Sequence, residues 1–177
     1  MIYPTNLQLH TDGHPVLRQV AEPVTEFDGF LNDFVTRMFE RMTEWGGVGL
    51  AAPQVGVSKR IVVTRYREQH RVWVNPRIGR HAGSGRREER CLSVPGVSGM
   101  VERHIRLTVH YQSMTGDPAK KFFDVKKGDF LGVVMQHEID HLDGKLFTDT
   151  ATFVRKALPA LPPDPNETAI DRILRQL

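Results

Sequence analysis

The stretch VVMQHEIDHLDG, residues 133–144, is the segment that most directly indicates the fold of this chain. It places His137 and His141 four residues apart, and residues at that spacing share one face of an α-helix, so both imidazoles can reach the same ion. Glu138 stands next to them. A catalytic metal site built this way also needs a third protein ligand and an open position for water. The stretch therefore predicts a metal-bearing helix whose third ligand lies elsewhere in the chain.

The residues around this stretch favour a helix. Gly128 and Asp129 offer an N-cap, apolar residues follow over 130–135, and Gly144 is typical of a helix end. An earlier amphipathic helix is predicted over 30–45, where apolar side chains recur at helical spacing. The chain is thus expected to contain an N-terminal amphipathic helix and a second helix that carries the HExxH motif.

Strands are predicted between these two helices. Residues 60–67 and 71–78 are rich in β-branched and aromatic side chains and are joined by a short loop, which indicates a hairpin. Residues 104–113 alternate between apolar and polar side chains, and 121–125 are expected to form another strand. A short helix is expected near Pro15. The pattern predicts an α+β fold in which antiparallel β-sheets pack around a central HExxH-bearing helix.

The composition indicates a soluble globular protein. The chain has 177 residues, 40% hydrophobic and 25% charged, which suits one domain and excludes disordered and membrane classes. Residues 1–150 are expected to form this domain, and 151–177 a proline-rich tail in which 168–177 are compatible with a short C-terminal helix. We expect no secretory signal, and the single cysteine suits a reducing, cytoplasmic compartment.

Arginines crowd the middle of the chain, from Arg60 to Arg90, although the net charge is only +3. Contact with nucleic acid is one interpretation of this crowding. Solvated strand edges and loops are the interpretation that we prefer, because the net charge is modest.

Two residues compete for the place of the third ligand. Glu167 lies some two dozen residues after the histidine pair, at a separation found in one class of zinc peptidases. The proline-rich segment before it offers little to hold a ligand rigidly, and a helix-capping glutamate is the simpler interpretation. Cys91, in EERCLSVPG, would complete a set of two nitrogens and one sulfur that suits Zn²⁺ or Fe²⁺. A lone cysteine is, however, most often a small buried side chain.

A glycine-rich stretch, GGVGLAAPQVG at 46–56, is the third informative segment. Its glycines allow the backbone to approach a ligand closely, and one amide side chain, Gln54, stands near its end. A tight turn packed on a helix would explain the stretch equally well if it stood alone. Its occurrence together with Cys91 and the histidine pair is far more specific.

Together, these segments resemble the peptide deformylase family. The family's motifs are a glycine-rich stretch ending in Ala-Ala-x-Gln, a Glu-Gly-Cys-Leu-Ser segment, and Gln-His-Glu-x-x-His followed by a leucine and a glycine. Here they are GVGLAAPQ (47–54), ERCLS (89–93) and QHEIDHLDG (136–144), in the family's order and with similar spacing. The resemblance extends from about Leu9 through Phe147.

The resemblance implies a metal-dependent hydrolase that removes the formyl group from the N-terminal formylmethionine of nascent polypeptides and releases formate. It implies one divalent metal ion, Fe²⁺ in the cell, with Zn²⁺, Ni²⁺ or Co²⁺ as alternatives in purified protein. Its partners would be N-formylmethionyl peptides and nascent chains. We further expect a transient ribosome contact, a monomer, and no DNA or membrane partner.

The resemblance also implies roles for individual residues. Cys91, His137 and His141 would bind the metal, and Glu138 would act as general acid and base. The Gln54 side chain and the Leu92 backbone N–H would donate hydrogen bonds to the oxyanion. Val48, Gly49 and Arg90 would make backbone contacts with an extended peptide. The methionine pocket would be lined by Phe130, Val133 and Val134.

One departure from the family's pattern is Arg90, because the family has glycine before the ligand cysteine. A long cationic side chain there would narrow the cleft, alter selectivity or point to solvent. A deformylase-like module that binds metal and peptide with reduced turnover is therefore one alternative function, and a Glu167-dependent zinc peptidase is another. Glu89 and Arg103 match other family positions and are expected to form a buried pair that braces the cysteine strand.

Overall fold

The structure is a computed structural model that describes residues 3–66 and 69–156. Its two α-helices and six strands are, in chain order, α1 (Gly29–Glu44), β1 (Gly49–Ala51), β2 (Ile61–Tyr66), β3 (Gln69–Cys91), β4 (Val94–Gln112), β5 (Pro118–Asp124), α2 (Leu131–Leu142) and β6 (Phe153–Lys156). Short 3₁₀ helices add Pro15–Arg18, Ala52–Val55, Val125–Lys127 and Phe147–Asp149. The fold is α+β, as the sequence predicts.

The described strands form one antiparallel sheet, whereas the sequence led us to expect several. Its order is β1-β2-β3-β4-β5, and β6 pairs with β4. The long strands β3 and β4 form a hairpin that closes tightly, with Cys91 opposite Val94. Their register shifts at three places, one of them between Glu89 and Cys91, and such bulges bend a long hairpin. Because β3 and β4 pair along most of their length despite these shifts, all six strands belong to one sheet.

Helix α1 covers one part of the sheet with its apolar face. The Asp28 carboxylate caps the helix by accepting a hydrogen bond from Leu31 N–H at 3.0 Å. The helix buries Leu31, Phe34, Val35, Met38 and Met42. These side chains share a core cluster with residues of β1, β2 and β3, such as Leu50, Ile61 and Val74.

Helix α2 ends where the sequence predicts but begins differently. Gly144 has φ +72°, and Lys145 N–H donates to the Asp140 carbonyl at 2.9 Å, so the chain leaves the helix through a left-handed glycine. At the other end, the expected cap at Gly128 and Asp129 is wrong. Phe130 occupies the N-cap position with no side-chain bond, because the Asp129 carboxylate accepts from Asp124 N–H at 2.9 Å instead.

Close contacts fix α2 against the sheet. A Cβ on Gly132 would lie 2.8 Å from Phe123 Cβ, so a side chain there would push the helix off β5. The buried Gln136 amide bonds both the N–H and the C=O of His104 on β4, at 2.7 and 3.1 Å. These two contacts set the position of the histidine-bearing helix relative to β4 and β5.

Strand β6 occupies the start of the segment expected to be a tail. It pairs with β4 from Val97 opposite Lys156 to Met100 opposite Phe153. Residues 157–177, including Glu167 and the expected C-terminal helix, lie outside the described residues. Neither helix within 3–66 and 69–156 combines the length and the apolar character that a bilayer crossing requires.

Candidate metal centre and active site

Three candidate ligand residues converge where β3 ends against α2. Cys91 is the last residue of β3, and His137 and His141 lie on one face of α2. The Cys91 Sγ lies 3.2 Å from His141 Nε2, and the donor atoms of all three residues lie within 4.8 Å of one another. Among the described residues, no other group of three metal-ligating side chains is found. The structure thus brings Cys91 to the histidine pair across 46 residues or more of chain.

A second layer of polar side chains orients His137. Its Nδ1 lies 2.8 Å from the Glu89 carboxylate, which leaves Nε2 for an ion. Glu89 also accepts two hydrogen bonds from Arg103, at 2.6 and 2.8 Å, which confirms the expected buried pair. Arg103 reaches further and binds the Asp140 carboxylate at 2.5 Å. The network links the cysteine strand, β4 and α2 through charged groups.

The surroundings of Glu89, His137 and His141 shift the pKa of each of these side chains. Burial by itself raises the pKa of Glu89, but hydrogen bonds and charges from Arg103 and His137 outweigh it and lower the pKa to about 2. Burial likewise works against a charged His137, yet its contacts with Cys91 and Glu89 raise its pKa well above the ordinary value. Burial lowers the pKa of His141 well below that value. Without an ion, these surroundings favour a positive charge on His137 and the neutral form of His141. Binding of an ion by both imidazoles would therefore release the proton of His137.

Glu138 is a buried carboxyl group beside the candidate ligands. It is only 4% exposed, and burial raises its pKa to about 7. Its Oε2 and the Nδ1 of His141 are buried and have no hydrogen-bond partner among the described residues. A carboxyl group with such a pKa can both accept and donate a proton near neutral pH.

Gln54 reaches the site from the 3₁₀ turn after β1. Its Oε1 accepts from Ala51 N–H at 2.9 Å, which fixes the amide, and its Nε2 donates to Ser93 Oγ at 3.1 Å and to Cys91 Sγ at 3.7 Å. Leu92 lies in the turn between β3 and β4, and its side chain packs closely on Gly47. The three sequence motifs thus meet in one place.

The remaining predicted residues lie around this centre with different degrees of burial. Gly49 touches it directly, because a Cβ there would overlap Glu138 Oε1 and lie 2.8 Å from Val134 Cγ1. Val133 and Val134 are buried on α2, whereas Val48, Phe130 and Arg90 are half-buried. The role of each in substrate binding stays a prediction.

Three polar residues at the site were not singled out for it in the sequence. Asp140 follows His137 by one helical turn, a spacing that could have indicated its place on the same face. Ser93 lies two residues after Cys91, and Gln136 stands immediately before the first histidine. Their partners Arg103, Gln54 and His104 are distant in sequence, so no local pattern identifies these contacts.

The residues present fit a single divalent ion. Two imidazoles and a thiol offer a soft donor set, and a catalytic ion with three protein ligands keeps a position open for water. The unpartnered Glu138 Oε2 lies in the same buried region. Both the donor chemistry and the orphaned carboxylate oxygen therefore agree with a metal centre.

Comparison with known proteins gives the family. A family model described as polypeptide deformylase matches residues 6–157. This chain belongs to the peptide deformylase family. A peptide deformylase of Heliobacterium modesticaldum is 43% identical over 137 residues, which are 77% of this chain and 88% of that protein. One of Acidobacterium capsulatum is 44% identical over 138 residues, or 75% and 79% of the two proteins.

Solved deformylase structures share the fold. The crystal structure of a peptide deformylase from Synechococcus elongatus in complex with actinonin has a TM-score of 0.79 and 38% identity, covering 86% of this chain and 82% of that one. The peptide deformylase from Thermotoga maritima has a TM-score of 0.78 and 37% identity, covering 82% and 97%. Peptide deformylases are metal-dependent hydrolases that remove the N-formyl group from nascent peptides, and this chain is an enzyme of that family.

Proposed function

We propose that this peptide deformylase hydrolyses the formyl group of N-formylmethionyl peptides at one divalent ion held by Cys91, His137 and His141. The observation that carries the assignment is the convergence of these donor atoms within 4.8 Å, next to a buried carboxyl group. A bound ion supplies Lewis-acid chemistry, since it lowers the pKa of water towards neutrality and polarises a carbonyl group. Family membership also favours Cys91 over Glu167 as the third ligand.

Glu138 is proposed to move the proton. It takes a proton from the attacking water and later gives one to the departing amine, so the peptide leaves with a free N-terminus. A pKa of about 7 allows both steps near neutral pH. General acid–base catalysis of this kind typically contributes about 10²–10⁴-fold to the rate.

Gln54 and the Leu92 backbone N–H are proposed to stabilise the negative charge on the formyl oxygen. The Gln54 amide is well suited because Ala51 holds its oxygen and its Nε2 points towards Cys91 and Ser93. Donors fixed before the reaction stabilise the transition state, and the loss of one typically costs about 3 kcal/mol.

The peptide is proposed to bind as an extended strand against Val48, Gly49 and the backbone of Arg90. Main-chain hydrogen bonds would then give affinity without requiring a particular sequence. The methionine side chain would enter an apolar pocket next to α2, lined by Phe130, Val133 and Val134. Val134 supports this location, because it lies beside both Gly49 and Glu138.

The ion in the cell is proposed to be Fe²⁺, in a reducing cytoplasm that protects both iron and thiolate. The set of one sulfur and two nitrogens also accepts Zn²⁺, Ni²⁺ or Co²⁺, which are expected in protein purified in air. Metal analysis of anaerobically purified protein, alongside activity, tests this assignment. Zinc-loaded protein with the higher specific activity would contradict it.

The test of the function is formate release from formyl-Met-Ala-Ser by anaerobically purified, iron-loaded enzyme. We expect release from the native enzyme and a loss of about 10²–10⁴-fold in Glu138→Ala, with metal content retained. Equal rates for the two proteins would contradict the proposal. Metal and peptide binding without turnover, with turnover restored in Arg90→Gly, would instead support a binding module that Arg90 impairs.

A transient ribosome contact and a monomeric state are also proposed. Strands β3 to β5 and the turn after them expose several cations with no ion pair among the described residues: Arg77, Arg106, Lys120, Lys126 and Lys127. Contact with ribosomal RNA through such charges must weaken as salt rises. The proposed contact would be contradicted if the enzyme did not cosediment with ribosomes, or if its cosedimentation did not depend on salt concentration.

A further inference from the structure

Arg90 carries one of three buried side-chain nitrogen or oxygen atoms that lack a hydrogen-bond partner in the described chain. The atom in Arg90 is Nε, and the other two are Glu138 Oε2 and His141 Nδ1, which both lie at the candidate metal centre. A buried donor without a partner is costly, and native structures rarely keep one unless water or a ligand satisfies it. Arg90 is also the residue that departs from the family's motif. Its side chain is half-buried next to Cys91, and its terminal guanidinium nitrogens are not among the buried atoms, so a substrate can reach them.

The neighbours of Arg90 show which way its side chain leaves the strand. Glu89 contacts His137 and Cys91 contacts His141, so both side chains face α2. The register of the hairpin shifts between Glu89 and Cys91, so strand alternation alone does not orient Arg90. Its charge acts on Glu88, whose side chain leaves the strand on the face opposite to that of Glu89, so the guanidinium group lies on the face directed away from α2. Glu88 shares that face, and its carboxylate already binds Ser98 and Arg155. The hydrogen bond from Ser98 is the main cause of the lowered pKa of Glu88, and the charge of Arg90 contributes to it, although the Arg90 side chain makes no hydrogen bond with Glu88.

The backbone on either side of the site offers two strand edges to a peptide. β1 pairs only with β2 in the part of the chain that the structure describes. Beyond Val74, one edge of β3 has no partner strand among the same residues. The contact between Gly47 and Leu92 brings the start of β1 next to the end of β3. An extended peptide can therefore lie between them, as the proposed function requires.

The side chains of an extended peptide point alternately to its two faces, and this decides which residue of the peptide comes next to Arg90. If the methionine side chain enters the pocket beside α2, the side chain of the next residue points to the opposite face. Arg90 projects from the neighbouring strand on that same face, and side chains adjacent across strands on one face interact. The second residue of the peptide is thus the one that comes next to the guanidinium group.

We propose that Arg90 is a specificity-determining residue that binds the carboxylate of an aspartate or glutamate immediately after the formylmethionine. The inference rests on the proposed function and names the substrates that this site prefers. Guanidinium groups bind carboxylates through paired N–H donors, and the accessible end of the half-buried Arg90 side chain attracts a carboxylate more strongly than a neutral side chain. A lysine at the same place in the peptide would be repelled.

The experiment compares kcat/KM for formyl-Met-Glu-Ser, formyl-Met-Gln-Ser and formyl-Met-Lys-Ser with the iron-loaded enzyme. Glutamate and glutamine differ in charge but hardly in shape. We expect the glutamate peptide to exceed the glutamine peptide by about fivefold, mainly through KM, since the contact is remote from the reacting carbon. In Arg90→Gln this ratio should fall to about one, and in Arg90→Glu the lysine peptide should become the best substrate.

Arg86→Gln is the matched control. Arg86 is an exposed arginine of the same strand, so this variant loses the same charge without changing the residue beside Cys91. Its glutamate-to-glutamine ratio should equal that of the native enzyme. A ratio of one in the native enzyme, an unchanged ratio in Arg90→Gln, or an equal fall in Arg86→Gln would overturn the proposal.

Failure of the proposed function gives a different result. In that case no peptide releases formate above the Glu138→Ala background. Calorimetric binding of the three peptides to native enzyme and to Arg90→Gln then decides the role of Arg90 separately. Equal affinities of the native enzyme for the glutamate and glutamine peptides would reject it.

Discussion

At the scale of single residues, Glu89 links two other charged or titratable groups of the site. It binds Arg103 with both oxygens and holds His137 by its Nδ1. The resemblance to the family predicted its pairing with Arg103. The contact with His137 was not predictable from the chain alone, because 48 residues separate the two and only the fold brings them together.

Glu89→Gln tests this role through metal affinity. The variant keeps the shape of the side chain but loses the charge that orients and polarises His137, and a loss of this kind typically costs about 10–100-fold in affinity. Glu102→Gln, an exposed residue with the same change, is the control and should not differ from the native enzyme. Metal competition with a chromophoric chelator measures both, and equal affinities would contradict the assignment.

Glu89→Gln should also change how the stability of the fold depends on pH. A glutamate whose pKa is lowered in the folded state stabilises the fold above its ordinary pKa of 4.5, and this contribution disappears as the pH falls towards about 2. It amounts to something on the order of 3 kcal/mol. In chelator-treated protein, the free energy of unfolding should therefore fall more steeply below pH 5 for the native enzyme than for Glu89→Gln. Urea denaturation at several pH values measures the difference.

At the scale of elements, the site depends on how closely β1 approaches α2. Gly49 makes this possible, since its lack of a side chain leaves room for the Glu138 carboxylate and for Val134. The glycine-rich motif predicted a close backbone approach to a ligand. The structure adds that the same glycine also accommodates the Glu138 carboxyl group of the neighbouring helix.

Gly49→Ala should therefore damage catalysis more than folding. The new Cβ would overlap Glu138 Oε1, so the carboxyl group must move, and a displacement of about 1 Å can cost about 100-fold in kcat/KM. Metal content should be retained, because Gly49 lies against no candidate ligand in its closest contacts. Gly29→Ala is the control, since a Cβ there meets nothing within 4 Å. Full activity in Gly49→Ala would show that Glu138 tolerates displacement.

Local patterns predicted the elements that depend on local spacing. α1 was expected over 30–45 and occupies Gly29–Glu44, and the first hairpin forms between β2 and β3. The cap of α2 was missed because the Asp129 carboxylate bonds back to Asp124 N–H, five residues earlier. The joining of all strands into one sheet, and the pairing of β6 with β4, depend on contacts between distant segments that no local period shows.

At the scale of the whole molecule, β6 ties the end of the described chain to the cysteine strand. It pairs with β4, and its Arg155 binds the Glu88 carboxylate at 2.8 Å. Glu88 lies three residues before Cys91. The segment just after residue 150 therefore supports the half of the hairpin that carries the candidate ligand.

Two truncations separate this support from any role of Glu167. A chain ending at Lys156 keeps β6 and should retain metal binding and formate release, whereas a Glu167-dependent zinc peptidase would lose its metal. A chain ending at Thr150 also loses β6, and its melting temperature should fall by about 2–4 °C for each kcal/mol of lost stability. Differential scanning calorimetry and metal analysis of the two proteins check both expectations. Equal melting temperatures would show that β6 contributes nothing.

The edges of β1 and β3 that have no partner strand within residues 3–66 and 69–156 bear on how one enzyme can act on many different polypeptides. Peptide groups are common to all polypeptides, so a groove that bonds to them is indifferent to most of the differences among gene products. The same groups invite unwanted association, because an open edge can pair with a strand of another molecule. β1 limits that hazard on its own side of the groove, because it has only three residues and runs directly into the turn at Ala52–Val55. A second copy of the chain therefore finds little edge there with which to pair.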